Sequence, residues 1–479
     1  MQGWKQGLLA VFLVLALFTF SSCMQVITER GEDGEIPAVK AGTTCPLADE
    51  RVPETETVLL SFLSGDAQSL LRNERNIRFS TLEEKAQQCL DLLLAGPAAG
   101  ERGTWPEVRG RTGGQVRVSG NIAICSLPAR YRQLEPEELY AVRVAVASTM
   151  CQLKEISSCV VLVDGREEGM DLAATRPAGA FTGMESPSLE SALKNADGTA
   201  ACVLFIPSAD GNYLVGQVKR LSLGNVDPSE CMYRVLEALG VQGGKVPPPL
   251  GYLAEMPEIT KTEDGQYKII SLHFSASLDT ALAGAGLSRG IYAGMLCESL
   301  LCFVPGVDGL SITIGQDRLG GISAREMPGN QAITFTQNLM MSGDFAQVFG
   351  SEIRGYLPGE GGRLAAVSLT VPAREAASPK VRLLALEAAG GEAYGGSALL
   401  SYRMESDKIA LNLDRKLLDI WKQLPEGQAL PVLSAVVNTI TEGVVQDEAV
   451  LFFSGAQAEE ELQGIALQGA LYRNVELLP

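Results

Sequence analysis

The chain has 479 residues, of which 46% are hydrophobic, and its formal net charge is -18. This apolar content is enough to bury several cores, and the acidic balance argues against nucleic acid as a partner of the folded body. Histidine is the side chain that most often binds metals or acts as a general base, and the chain has a single one, His273. We therefore expect no metal site, no cofactor and no hydrolytic triad, and we interpret His273 as a structural residue of a strand.

The N-terminus carries a predicted lipoprotein signal peptide over residues 1–22. Lys5 precedes an apolar run from Leu8 to Phe20, and small residues separate this run from Cys23. The run is shorter than the roughly 20 residues that a membrane-spanning helix needs, and its layout is that of a secretory signal. The four residues 20–23 resemble a bacterial lipobox, which implies that Cys23 is the lipidated first residue of the mature chain. An uncleaved anchor or an ordinary signal peptide is the alternative.

Residues 23–56 are predicted to form a flexible tether. This stretch is polar, with glycines and prolines scattered through it. Such a composition favours an extended, unpacked chain. We expect the tether to hold the first domain away from the membrane.

From residue 57 onwards the sequence repeats one small domain three times. In each copy the apolar patterns follow the order strand, strand, helix, strand, strand, helix, strand. The repeat is as long as a whole domain and exceeds the roughly 20–50 residues of a solenoid repeat. The predicted domains are residues 57–184, 200–340 and 341–479, called copy one, copy two and copy three below. Residues 185–199 are predicted to be a mobile linker, and we expect the three domains to fold separately.

The first helix of each copy begins with a residue suited to cap it. Thr81 has capping-box spacing, whereas Asp227 and Ser378 are each followed by a proline that fits the first helical turn. Different residues thus mark the same helix start in all three copies. The pattern predicts an α+β fold, with two helices on one face of a small mixed sheet in each domain.

Parts of copy one and copy three resemble the GerMN domain of spore-germination and sporulation lipoproteins. The matching stretches are residues 92–97 and 145–165 in copy one, and 411–414 and 434–455 in copy three. Copy two diverges, because residues 236–240 lack the Leu-Leu-x-Gly-Pro signature. The resemblance implies a small domain similar to the ring-building motifs of secretion machines. It also implies membrane-anchored assembly work without an active site.

Three motifs of known chemistry are incomplete or absent in this sequence. Ser191 and Lys194 have the S-x-x-K spacing of penicillin-recognising enzymes, but no S-D-N or K-T-G triplet follows. Residues 284–290 approach a dinucleotide fingerprint, but the last gap is one residue too long, so we interpret them as a flexible loop. The 10 cysteines contain no C-x-x-C pair, which argues against a zinc knuckle. Most are predicted to be core residues, and one or two disulfides are left open.

The sequence thus predicts a non-enzymatic lipoprotein on the outer side of the cell membrane, anchored through Cys23. It would act in sporulation or germination by contact with protein partners or by self-association into a ring-like assembly. The alternative is a surface lipoprotein that binds a cell-wall glycan or peptide. That alternative needs a cleft lined by aromatics, and the mature chain has only Trp105 and Trp421 as tryptophans, in different copies.

The predicted partner contact lies on the second helix of copy three. Apolar residues there recur at a spacing of three to four, which marks the buried side. Asn438 and Glu442 are expected on the outward side, so arginine at both positions should cost under about 0.5 kcal/mol. Copy three comes last in the chain, and we expect it to lie farthest from the membrane anchor.

Overall fold

The computed structural model describes residues 44–108, 112–241, 246–327, 331–458 and 461–478. The predicted signal peptide, Cys23 and the first part of the predicted tether lie outside the described residues. In the described ranges the predicted α+β architecture is confirmed, because hairpins, small mixed sheets and helices alternate along the chain.

Copy one has the predicted order of elements. A long antiparallel hairpin, β2–β3, precedes the first helix, and a second helix connects the two parallel strands of a three-stranded sheet. Two parallel neighbours need a long crossover, which the second helix provides. The elements up to the end of copy one are β1 (Glu50–Arg51), β2 (Glu54–Leu63), β3 (Leu70–Phe79), α1 (Leu82–Ala95), β4 (Gln115–Ser119), β5 (Ile122–Leu127), α2 (Pro136–Met150) and β6 (Ser158–Val163).

Copy two follows the same plan with additional short elements. Its hairpin is β7–β8, and its sheet has the order β12-β11-β10-β9, with β10 parallel to β11. The elements are α3 (Leu189–Lys194), β7 (Thr199–Pro207), β8 (Leu214–Ser222), α4 (Pro228–Gly240), α5 (Pro249–Tyr252), β9 (Glu258–Lys261), β10 (Lys268–Phe274), α6 (Ser277–Ala285), α7 (Arg289–Leu301), β11 (Gly309–Ile314), β12 (Asp317–Arg318), β13 (Gly321–Ile322) and β14 (Ile333–Thr334).

Copy three has the largest sheet of the described part of the chain. Its order is β1-β17-β18-β19-β20, and β23 also pairs with β19, so the sheet includes a strand that precedes copy one. The elements are β15 (Gly350–Pro358), β16 (Leu364–Pro372), α8 (Pro379–Gly390), β17 (Leu399–Met404), β18 (Lys408–Leu413), α9 (Arg415–Lys422), α10 (Ala429–Thr441), β19 (Glu448–Phe453), β20 (Ala456–Gln457), β21 (Glu461–Leu462), β22 (Ile465–Ala466) and β23 (Ala470–Tyr472).

The predicted starts of the first helices are correct in all three copies. The Thr81 hydroxyl accepts a hydrogen bond from the backbone N–H of Glu84 at 3.1 Å, and Asp227 accepts one from Glu230 at 2.9 Å. Ser378 occupies the N-cap position without such a bond. Local capping rules therefore located these helices, because they depend on residues only two or three positions apart.

Among the described helices, α3, α5, α6 and α9 were not predicted, and two of these lie in equivalent places. In copy two, α6 fills part of the stretch expected to be a polar loop, and in copy three α9 lies in the equivalent place. Helices of this length are marginal by themselves and are stabilised by packing. In α6 that packing comes from Leu278 and Leu282, which are buried in the core of copy two.

The segment between copy one and copy two is ordered. The predicted linker, residues 185–199, contains α3, and Leu189 of this helix is buried in the core of copy one. Residues Thr44–Pro479 form one compact unit. Separate folding of the three copies stays a prediction.

Candidate interaction site

Asn438, a predicted partner contact, lies inside the protein. Its side chain is 0% exposed. Its Nδ2 donates to the carbonyl of Asn474 at 2.9 Å, and its Oδ1 accepts from the backbone N–H of Asn474 at 2.8 Å. The prediction of an outward position was wrong, because the C-terminal segment of the chain covers the side of α10 that the apolar spacing left open.

Glu442, the second predicted contact, is also engaged within copy three. Its carboxylate accepts a hydrogen bond from the Tyr356 hydroxyl at 2.9 Å and pairs with Arg473. Burial, together with this carboxylate, raises the pKa of Tyr356. Glu442 is thus a half-buried partner of two residues of its own copy, and the expectation that it faces a partner freely was wrong.

Arg382 holds the C-terminal end of α10. Its Nη1 donates to the carbonyls of Thr439 and Ile440 at 3.2 Å each and to that of Glu442 at 2.6 Å. Burial lowers the pKa of the Arg382 guanidinium to about 10, so it keeps its charge at neutral pH. A cation at this place satisfies the last carbonyls of the helix and opposes the negative end of its dipole.

A buried hydroxyl links the second helix to the hairpin in every copy. In each case the hydroxyl oxygen accepts a hydrogen bond from a backbone N–H of the first hairpin strand, which would otherwise be unpaired in the core. The pairs are Thr149 with Ser61 at 3.0 Å, Ser299 with Phe205 at 2.9 Å, and Thr439 with Tyr356 at 3.0 Å. This shared contact is a further sign of the repeat that sequence analysis missed, although a hydroxyl residue on an apolar helix face was a visible signal.

A buried ion pair joins copy one to copy two. Arg117, on β4, donates to the carboxylate of Glu298, on α7, at 2.8 Å, and Glu298 is fully buried. The same guanidinium donates to the hydroxyl of Ser342 at 2.7 Å and lies over the ring of Phe349. One arginine of copy one therefore contacts both copy two and the residues of copy three that precede β15.

The face of the sheet that lies opposite the helices is covered differently in copy one and copy three. In copy one this face packs against the core of copy two, through the side chains of Ile122, Ile124, Val160 and Leu162. In copy three the equivalent face has its own small apolar cluster, formed by Ala410, Val450 and Phe452 with Cys45 and Ala470 packed against it. Cys45 belongs to the predicted tether, so the tether supplies part of the cover for copy three.

The backbone of the N-terminal segment Thr44–Val52 pairs with the edge of this sheet. Strand β1 runs parallel to β17, and the N–H of Val52 donates to the carbonyl of Met404 at 3.1 Å. The hydroxyl of Ser401 donates to the carbonyl of Pro46 at 2.7 Å. The segment therefore adds the short edge strand β1 to the sheet of copy three.

Charged side chains hold the same segment on copy three. Arg403 donates to the carboxylate of Glu50 at 2.8 Å and to the hydroxyl of Thr44 at 3.0 Å. Lys380 lies 3.5 Å from a carboxylate oxygen of Asp49. The acidic side chains of the segment thus face basic side chains of copy three.

This arrangement corrects an expectation about the N-terminal region. The predicted flexible tether was too long, because the described residues from Thr44 to Val52 are bonded to copy three and include the edge strand β1. The open edge of the copy three sheet offered a place for this pairing. The expected distance between copy three and the anchor stays a prediction.

The described residues contain no group of three or more His, Cys, Asp or Glu that could hold a metal ion. The nine described cysteines are all free. The predicted burial of Cys89, Cys125 and Cys159 is confirmed, whereas Cys151 is half-buried at the end of α2. Among the described helices, none has the length and apolarity needed to cross a membrane.

A cavity of about 340 Å³ lies between the turn of the copy two hairpin and the end of α6. Its lining includes Asp210, whose carboxylate already accepts hydrogen bonds from Ser208 and Asn212. Gly286, from the sequence that approaches a dinucleotide fingerprint, has φ 69° and ends α6, and Ser288 caps α7. The glycine-rich loop is thus explained by the ends of two helices that have only the three residues 286–288 between them.

No protein-family model matches the chain, and no curated protein matches it. Among solved structures, the chain is similar to the tandem GerMN domains of the sporulation protein GerM from Bacillus subtilis. That match has 14% identity and a TM-score of 0.21, and it covers 60% of this chain and 100% of the other. A candidate lipoprotein from Clostridium perfringens matches with 16% identity and a TM-score of 0.20, covering 28% of this chain and 91% of the other.

Proposed function

We propose that this protein is a lipid-anchored, non-enzymatic lipoprotein that acts in sporulation or spore germination as an assembly or envelope scaffold component. The observation that carries the proposal is the binding of the N-terminal segment Thr44–Val52 to copy three. Hydrogen bonds and ion pairs fix there the part of the chain that leads to the predicted anchor. The sporulation setting rests on the sequence resemblance of copy one and copy three to the GerMN domain.

The use of buried charge supports a structural role for the polar residues. Arg143 and Glu167 are both fully buried and pair at 2.7 Å, and Arg117 pairs with Glu298 between two copies. Buried charges require partners because their desolvation is costly. These charged groups stabilise the fold through internal ion pairs. Such a structural role is consistent with a protein that acts through contacts rather than through catalysis.

The alternative, binding of a cell-wall glycan, is not supported by the two tryptophans. Trp105 is buried and donates from Nε1 to the Tyr131 hydroxyl at 3.0 Å. Trp421 is also buried and donates to the carbonyl of Ala393 at 2.7 Å. Both indoles belong to cores, so neither offers an exposed ring on which a sugar could stack.

Membrane attachment is tested by replacing Cys23 with alanine in the full-length chain. We expect the wild-type protein in the membrane fraction, with a diacylglycerol group on Cys23 in mass spectra of its N-terminus. The Cys23→Ala variant has no thiol to carry the diacylglycerol and therefore lacks both acyl chains. It should appear in the medium or as an unprocessed precursor, because stable membrane binding needs two lipid signals. The matched control is Cys45→Ala, which should stay in the membrane fraction. An unmodified N-terminus at another residue would contradict the anchor.

The biological setting is tested separately in a spore-forming host. A strain that lacks the gene should produce fewer germination-competent spores, and the wild-type gene should restore the count. The Cys23→Ala gene should restore it poorly. Normal sporulation and germination in the deleted strain would reject this setting without bearing on the lipid anchor.

A further inference from the structure

The N-terminal segment Thr44–Val52 occupies a site on copy three that recognises its backbone and its charge. The site supplies the open edge of β17, the hydroxyl of Ser401 and the basic side chains of Arg403 and Lys380. An exposed sheet edge binds an extended segment through main-chain hydrogen bonds, and neighbouring side chains select its sequence. The site is thus a receptor for one particular segment of this chain.

The segment is held mainly by polar contacts and by few apolar ones. Its ladder with β17 is two residues long, and the side chain of Leu47 is 91% exposed. Of its apolar residues, Pro46 is buried and Cys45 is packed against the small cluster on copy three. Segments with few buried apolar contacts open locally at a low cost in free energy. Release of Thr44–Val52 would leave the edge of β17 unpaired.

We propose that two copies of this protein exchange the segment Thr44–Val52, so that each segment binds copy three of the other molecule. Exchange replaces every contact of the segment by an identical contact in the partner, which makes domain swapping a low-cost route to a dimer. The segment joins copy one through Pro53 alone before β2 begins at Glu54. Because a single residue spans at most about 7 Å, exchange requires that β2 of each molecule lies beside β17 of the other. Anchoring would favour the exchange by raising the local concentration, but the exchange does not depend on the anchor.

Exchange is tested by cross-linking two differently substituted full-length chains in detergent solution. One chain carries Glu50→Cys and the other carries Arg403→Cys, since these residues are paired Cα positions between β1 and β17. Neighbouring strands are close enough for such a pair to form a disulfide. Both chains also carry serine in place of the half-buried Cys45 and Cys151. After mild oxidation of the mixture, we expect a covalent heterodimer at twice the monomer mass.

The control mixture places cysteines at Thr57 and Asn76, which are paired in the β2–β3 hairpin and cannot exchange without unfolding of copy one. It should give no heterodimer. A single chain with both Glu50→Cys and Arg403→Cys shows, by an internal disulfide, whether the segment binds copy three of its own molecule. If that chain links internally while the mixture of single variants stays monomeric, exchange is refuted. Equal dimer yields in test and control mixtures also refute it, as does a double variant that forms no link of either kind.

Discussion

Ser401 donates a hydrogen bond to the carbonyl oxygen of Pro46, a residue 355 positions earlier in the chain, at 2.7 Å. Ser401 is buried, and its hydroxyl also accepts from the side-chain amide of Asn412 at 3.3 Å. The contact brings the beginning of the described chain to the sheet of the last copy. Residues from the two ends of the described chain therefore meet at one sheet.

Replacing Ser401 with alanine should loosen the N-terminal segment. The carbonyl of Pro46 loses its donor, and a lost hydrogen bond of this kind costs about 0.5–1.5 kcal/mol. We expect faster proteolytic cleavage within Thr44–Val52 and little change in the urea midpoint of the whole protein. Ser406→Ala, in the exposed β17–β18 turn, is the control and should be cleaved at the wild-type rate. Equal cleavage of both variants would show that Ser401 does not hold the segment.

Removing the buried carboxylate between copy one and copy two should destabilise the protein strongly. Glu298→Ala leaves the guanidinium of Arg117 without its charge partner, and breaking such a pair costs about 3–5 kcal/mol. The urea midpoint of the full-length chain should fall accordingly. Glu190→Ala removes only an exposed pair with Lys194 on α3 and should leave the midpoint unchanged. A urea midpoint for Glu298→Ala near the wild-type value would contradict the expected contribution of the Arg117–Glu298 pair to stability.

The hydroxyl that links helix and hairpin in each copy should contribute more to the free energy of unfolding than a hydroxyl that bonds only within its own helix. Thr439→Val leaves the buried N–H of Tyr356 without an acceptor, at a cost of about 1–3 kcal/mol. The control is Thr441→Val in the same helix, whose hydroxyl bonds to the carbonyl of Val437 one turn earlier. That carbonyl belongs to the helix ladder, so the second variant should lose less stability in urea unfolding. The reverse order would show that the link to the hairpin is unimportant.

Asn438→Arg should unfold copy three rather than probe a partner surface. The position is fully buried, and an arginine there would place an unpaired charge in the core, at a cost of at least about 3 kcal/mol. Leu430→Arg, at an exposed position of the same helix, should change stability by under about 0.5 kcal/mol. Circular dichroism during thermal unfolding would distinguish the two variants. A well-folded Asn438→Arg protein would restore the outward position expected from the sequence.

Asp344 should make the protein less stable as the pH rises. Burial raises its pKa, and the neighbouring Glu298 adds to the effect. Because the folded-state pKa lies above the unfolded value of about 3.9, the stability that Asp344 contributes is fully present below that value and is lost as the pH rises through the folded-state pKa. Asp344→Asn should remove this loss, which urea midpoints measured across the acidic range would reveal.

The control for this pH dependence has the opposite sign. A hydrogen bond from Ser64 lowers the pKa of Asp66, so its contribution is present above the unfolded value and is lost as the pH falls through the folded-state pKa. Asp66→Asn should therefore affect the acidic end of the stability profile. Identical profiles for Asp344→Asn and the wild-type protein would exclude Asp344 as the source of the stability that is lost as the pH rises.

The sequence by itself determined the repeated elements and where the first helices begin. Thr81 and Asp227 cap their helices as predicted, because a cap depends on backbone groups two or three residues away. Strand alternation and helix periodicity are equally local, so the α+β plan was visible in each copy. The divergence of copy two did not hide it, since the caps and patterns persist there with different residues.

Only the tertiary structure decided which of the predicted faces are exposed. Asn438 stands on the side of α10 that the apolar spacing left open, yet the C-terminal segment covers it and bonds to it through Asn474. The segment around Pro46 has the composition of a free tether, yet the edge of a sheet 355 residues away in the chain binds it. Burial of a polar residue depends on which distant segment packs over it, and a pattern that spans one or two helical turns carries no information about that segment.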